Sequence, residues 1–466
     1  VKHSNPRNIY MSTLDQADID VMKATKTCVA AERFQYDYLN DDITNDGKID
    51  YTLTNKLPLG LRKAIAESKK ILVLINPPYA EATNANNTAV GNTNIGNKTG
   101  VAKTKISQFM DKYGKASNEL FTQFVARIAQ EIPNATLAMF SKLKYVNAPN
   151  FEKFRQNWSA NYLGGFIVHS KAFDGLKGNF PIGFLVWQTA QDENYQINEI
   201  TTEIMDKNTN PIGEKIFYNI SNDKFLNVWI IRPRANKQDV LPLKNILTPT
   251  TTNDLQNAAK YTYLMSSVAS RGHGFYVTSS NLLIASVVFT VQSIINVTWI
   301  NDRDQFLQPT CELPDEFKTD CLIWMLFNGS NLTASADDLE WNNQKWSIVN
   351  HFIPFTEAEV NAPSRFESDF MVQYLTDKTL SAESQMVIDA GRELWRAYFA
   401  HTDSYAIREE YKLNRADVGW YQIRNALKKR NQSGDYPPVD FSAFEDAYNT
   451  LSEKLRPLVY EYGFLK

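Results

Sequence analysis

Ile71-Leu72-Val73-Leu74-Ile75-Asn76-Pro77-Pro78-Tyr79 is an unbroken apolar run that halts at an asparagine and two prolines. Such a run predicts a strand buried on both faces in the middle of a parallel sheet, and the prolines end its ladder because neither carries an N–H. Just before it, Leu61 to Lys70 has helical periodicity. Further upstream, residues 8–15 read as a strand and 16–27 as a short helix. Phe34 to Leu39 is a second short apolar-rich segment, closed by Asn40-Asp41-Asp42. Downstream, residues 80–117 lose periodicity; rich in Asn, Thr, Ala, Gly and Lys, they are too long for an ordinary connection. Order returns at Ser117, where Leu120, Phe121, Phe124, Val125 and Ile128 follow at helical spacing. A strand over Ala135–Phe140, an amphipathic segment over Phe151–Trp158 and a strand hairpin over 163–169 and 180–189 come next. Strand–helix alternation followed by paired strands predicts an α/β sheet with an antiparallel end.

The texture changes near 195, where short alternating strands and polar turns take over, and again near 378, where helical periodicity returns. Three segments are therefore expected: 1–195, 196–378 and 379–466. Leu282 to Val297 is apolar but interrupted by Ser286, Thr290 and Gln292, and its β-branched content reads as buried strands rather than a membrane span. Of 466 residues, 43% are hydrophobic and 22% charged, which excludes a disordered chain, a collagen-like chain and a membrane bundle. The net charge of -3 excludes a global basic field, so a nucleic-acid surface has to be a local patch. The three scattered cysteines exclude a disulfide framework and a four-cysteine zinc site, and the simplest compartment is a reducing cytoplasm.

The residues after the apolar strand suit one kind of chemistry. The lone pair of an exocyclic amino nitrogen on a base is delocalised into the ring, so that nitrogen is a poor nucleophile. Two acceptors set on its two N–H groups favour the pyramidal, reactive form. The Asn76 side-chain oxygen and the Pro77 carbonyl can be those acceptors, and two prolines stiffen the loop that holds them. Tyr79 offers an aromatic face to an extruded base. Ligands of open α/β sheets bind at the carboxyl ends of strands, which is where this loop falls.

Asn76-Pro77-Pro78-Tyr79 resembles the catalytic motif of amino-group DNA methyltransferases, specifically the N6-adenine enzymes of restriction–modification systems. The resemblance covers about residues 8–190 in motif order. It implies a Rossmann-like sheet that uses S-adenosylmethionine, followed by a mixed β-rich target-recognition domain and a helical C-terminal region. It implies a double-stranded DNA partner, with a restriction subunit or fused nuclease domain alongside, and no membrane. In the family a strand ending in an acidic residue contacts the cofactor ribose; here the strand from Ile9 precedes Asp15, with Thr13 where some members carry the acid. Phe34-Gln35-Tyr36-Asp37-Tyr38-Leu39 resembles the next motif, which makes Asp37 the adenine contact with Tyr38 beside it. Asn118-Glu119-Leu120-Phe121 resembles the helix start whose apolar side chains, here Leu120 and Phe121, cover the cofactor. The family stacks a late aromatic on the flipped base, for which Phe173 is the first candidate and Phe180 the second. Its Gly-rich loop for the methionine part of the cofactor is expected about twenty residues before the Ile9 strand. Only eight residues precede that strand, so the chain reads as starting just after that loop.

Two lysine and arginine groups could track phosphates. One comprises Lys98, Lys103 and Lys105, with Lys112 and Lys115 nearby; the other comprises Arg424, Lys428 and Lys429, with Trp420 and Tyr421 between flanking basic residues. The same Asn-Pro-Pro-Tyr motif also occurs in families that methylate RNA guanine or protein glutamine. A DNA-binding module without catalysis is a further alternative.

Overall fold

The computed structural model describes residues 8–78, 104–174, 176, 178–189, 197–230, 245–248, 253–265, 275–301, 303–333, 336–341, 344–363, 365–400, 418–428 and 439–466. The chain divides into two compact units, Val1–Ser221 and Asn222–Lys466.

The first unit is α/β. β1 (Ile9–Thr13), α1 (Gln16–Ala24) and β2 (Ala31–Gln35) form a strand–helix–strand turn in which β1 and β2 pair in parallel, Ile9 opposite Ala31. α2 (Leu59–Ala66) leads to β3 (Leu72–Ile75), and α3 (Leu120–Glu131) leads to β4 (Thr136–Ser141). β5 (Ala160–His169), β6 (Pro181–Thr189), β7 (Glu199–Met205) and β8 (Pro211–Tyr218) complete a six-stranded mixed sheet of order β3-β4-β6-β5-β7-β8. β3 and β4 run parallel, and β6 lies antiparallel between β4 and β5, giving the expected antiparallel end. β7 and β8 extend this sheet, so residues up to Ser221 pack with the strands before position 195.

The apolar strand is parallel, but among the described residues it lies at the edge of its sheet rather than in the middle. Among the described residues β3 pairs only with β4, because β1 and β2 pair with each other. Leu72 is 67% exposed and Leu74 58% exposed, both on the same face of the strand. The core of the unit lies further along the sheet. Phe121, Tyr145, Phe151, Phe154, Trp158 and Trp187 are fully buried against one another, and the Trp187 indole donates to the Tyr145 hydroxyl at 3.0 Å. Close packing there fixes one backbone position. Gly165 has φ +153°, and a Cβ on it would sit 2.2 Å from the Phe184 carbonyl oxygen across the β5–β6 ladder, so only glycine fits.

The second unit is cored by helices. The stretch 282–297, expected to hold strands, forms α4 (Leu282–Ser293), buried on all sides. β-branched residues and an apolar run do not separate a buried helix from a buried strand, whereas a span of twelve residues favours the helix. Two of its hydroxyls are bonded to carbonyls: Ser286 donates to Leu282 within the helix and Thr290 to Cys321 on the neighbouring helix. α4 packs on α5 (Asp315–Leu326), and α6 (Ala382–Ala400), α7 (Trp420–Leu427) and α8 (Ser442–Glu461) close over them. One continuous apolar core runs from Leu226 to Leu465, so the helical tail and the residues before 378 share it. Among the described residues, short strands at 245–248, 263–265, 275–277 and 331–332 form one small sheet, and 336–341 pairs with 344–348 as a hairpin.

Candidate active site

β3 delivers Asn76 to the carboxyl end of the sheet. Asn76 is exposed, Pro77 buried and Pro78 exposed, so the first proline is clamped while its neighbours face outward. Tyr79 lies outside the described residues, as do Lys98, Lys103 and Lys429. The register of β3 on β4 sets Ile75 opposite Met139, so Phe140 and Ser141 continue β4 at the level where the Asn76 loop leaves β3.

An aromatic group stands at that end of β4. Phe140 packs on Phe184 at 4.7 Å between ring centroids, and Phe173 meets Phe140 edge-on at 5.5 Å, half-buried. Phe180 lies differently. Its ring folds over Gly178, where a Cβ would come within 2.4 Å of it, and its backbone pairs with Ser170. Of the two stacking candidates, Phe173 is the one set against the Phe140 ring.

The other candidate wall follows β2. Asp37 starts a tight turn: its Oδ1 accepts the Leu39 N–H at 3.2 Å, its Oδ2 accepts the Asn40 amide at 2.8 Å, and its N–H donates to Asp41 Oδ2 at 2.9 Å. A carboxylate has about four acceptor sites, so two bonds inside the turn leave capacity for an exocyclic amino group. Asp15 is exposed at the start of α1, where its N–H donates to Thr13 Oγ1. The parallel register of β1 and β2 brings Asp15 and Asp37 to the same end of the two strands, and Gln35 Nε2 ties that end to the Leu14 carbonyl at 2.9 Å. Tyr38 stacks flat on Phe124, with centroids 5.8 Å apart. Leu120 is half-buried at the start of α3, while Phe121 is fully buried between Phe151 and Tyr145 and belongs to the core. The cofactor expected at these residues would find a carboxylate acceptor with spare lone pairs at Asp37 and apolar surface at Leu120, a combination that fits the amino group and ring of an adenosine. Lys105 is exposed beside the turn, with its N–H on Asn40 Oδ1 at 2.8 Å and the next N–H, of Ile106, on the Leu39 carbonyl.

The side chains that hold this turn come from α3, far along the chain. Arg127 and Glu131, four residues apart on α3, are buried and paired at 3.2 Å, and the arginine donates to the carbonyls of Tyr38 and Asp41 after Asp37 and to the Tyr36 hydroxyl before it. Burial pushes the Tyr36 and Tyr51 phenols beside them well above the ordinary tyrosine range, so both stay protonated. A charged pair on a helix ordinarily reads as a solvated face; the apolar neighbours Val125 and Ile128 were the available signal.

The described members of the second basic group, Arg424 and Lys428, are engaged within their own unit. The Arg424 guanidinium packs on Gly329, and Lys428 pairs with Glu445 at 2.7 Å while lying over the Phe441 ring. Trp420 is buried in the core. Among the described residues no group of acidic, histidine or cysteine side chains could hold a metal ion, and no helix is long and apolar enough to cross a membrane.

No protein-family model and no curated protein matches the chain. Solved structures do overlap it in part. The DrdV–DNA complex covers 44% of this chain at 10% identity and a TM-score of 0.25. The ATP-dependent Type ISP restriction-modification enzyme LlaBIII bound to DNA covers 43% at 7% identity and 0.24. A nuclease-deletion mutant of the Type ISP enzyme LlaGI with a DNA substrate mimic covers 53% at 10% identity and 0.29. The matched region spans 21%, 18% and 27% of those chains respectively.

Proposed function

We propose that the first unit transfers a methyl group from S-adenosylmethionine to the N6 amino nitrogen of an adenine in double-stranded DNA, within a restriction–modification system, and that the second unit contributes to reading the duplex. The observation that carries this reading is Asn76-Pro77 at the carboxyl end of β3, level with Phe140 and its edge-on neighbour Phe173. When bound, the cofactor supplies an electrophilic methyl carbon on a sulfonium. The chain's own part is to hold the amino group. Asn76 Oδ1 and the Pro77 carbonyl accept its two N–H bonds, which returns the lone pair to nitrogen. With the cofactor bound, that lone pair would take the methyl group from the sulfonium, which would leave as a neutral thioether, and the nitrogen would release one proton to solvent. Phe173 gives the extruded base an aromatic face, and Asp37 takes the cofactor's adenine. No covalent bond to the protein is needed.

The test is transfer of a labelled methyl group from S-adenosylmethionine to duplex DNA, to tRNA and to protein in parallel. Label in DNA as N6-methyladenine is the expected result. Label confined to RNA or protein would overturn the substrate, and no label in any acceptor would overturn the activity.

A further inference from the structure

Arg127 is fully buried in α3, and nearly all of its bonding capacity goes to one short stretch of chain. Its Nη1 donates to the carbonyls of Tyr38 and of Asp41, the latter at 2.9 Å. Its Nη2 donates to the Tyr36 hydroxyl at 2.7 Å. The guanidinium also lies over the Tyr38 ring at 4.4 Å and the Tyr36 ring at 5.3 Å. Only Nε turns the other way, to Glu131 Oε2 at 3.2 Å. The ring is closed behind it: the Tyr51 hydroxyl donates to Glu131 Oε1 at 2.7 Å, and the Tyr36 hydroxyl donates to Asp42 Oδ2 at 3.0 Å.

A buried ion pair is a poor way to gain stability, because desolvation offsets most of its attraction. A planar fork of donors is a good way to fix a backbone turn. The contacts of Arg127 span the turn from Tyr36 to Asp41: the Tyr36 side chain is held on one side of Asp37, and the Tyr38 and Asp41 carbonyls on the other. The Asp37 carboxylate is itself bonded within the same turn, so turn and carboxylate move together. We propose that Arg127 is a positioning residue that fixes the Asp37 carboxylate for binding the adenosine part of the cofactor; this rests on the reading of Asp37 given above.

Arg127→Lys keeps the charge but cannot bridge two carbonyls and a hydroxyl. With the full chain, it should raise KM for S-adenosylmethionine about tenfold or more, while kcat at saturating cofactor and KM for duplex stay within about twofold. Tyr36→Phe, which keeps the arginine, should raise the same KM by about threefold. Hydrogen exchange supplies a readout that needs no cofactor. The amides of Leu39, Asn40 and Asp41, whose acceptors all belong to Asp37, should exchange at least about tenfold faster in Arg127→Lys, with those of β4 unchanged. Unchanged protection in the turn, or a fall in kcat with an unchanged cofactor KM, overturns the proposal. If Arg127→Lys loses protection throughout the unit, Tyr36→Phe decides by the same two criteria. If the unsubstituted chain methylates nothing, the reading of the site has failed, and the exchange measurement alone still tells whether Arg127 holds the turn.

Discussion

Asn76 is exposed at the end of β3, and the residue after it, Pro77, is buried, so truncating the Asn76 side chain removes little from the core. Asn76→Ala should therefore leave the fold and duplex affinity nearly intact, since affinity comes mainly from phosphate contacts. It should lower methyl transfer by on the order of 10²-fold or more, because one of two acceptors that act in the transition state is lost. Single-turnover rates beside a filter-binding titration check this, and full turnover by the variant would sink the assignment. Gly165 is the opposite case, with a backbone role and no side-chain chemistry. Gly165→Ala places a methyl group against the Phe184 carbonyl at a φ that L-residues avoid. The first unit should lose about 2 kcal/mol or more, measured as a shift in its urea midpoint.

Among elements, α5, α6 and α8 are joined by one charged node. Lys454 on α8 pairs with the fully buried Asp320 at 2.8 Å and with Glu316 and Glu383 at 2.7 and 3.1 Å. Asp320 also accepts the hydroxyls of Ser381 and Ser384, each at 2.6 Å. Lys454→Met leaves Asp320 buried without its counter-ion and should cost the second unit about 3 kcal/mol. Asp320→Leu combined with Lys454→Met should regain much of that, because the unpaired charge goes too. Denaturant unfolding of both variants distinguishes this from simple loss of a surface lysine. The node also marks the limit of what pattern reading delivers. α6 was legible from its apolar spacing, and so were the β5–β6 hairpin and the strand that carries Asn76, because each has a local period or a local stop. The valines of α4 satisfy both strand and helix geometry, so its pattern does not separate the two. Hydrophobicity alone does not say which partners a strand finds, and among the described residues β3 finds only β4. Arg127 and Asp320 were illegible for a different reason: a buried charge is defined by groups far away in sequence, and no spacing rule contains them.

At the scale of the whole molecule, the second unit encloses its own core from Leu226 to Leu465. A fragment beginning at Asn222 should fold by itself, with a cooperative urea transition whose midpoint matches the corresponding one in the full chain. A non-cooperative melt of the fragment would show that this core depends on residues before Asn222. The first unit is built less evenly, and β3 shows the cost. As the ribosome extends the chain, β4, the partner of β3 among the described residues, begins only after roughly sixty further residues. At about 5–20 residues per second, that is a wait of about 3–12 s before the edge of β3 that β4 takes can close. The hazard is therefore one of timing: slower translation between Asn76 and Thr136 lengthens the interval in which nascent chains can join at β3 instead of closing on β4.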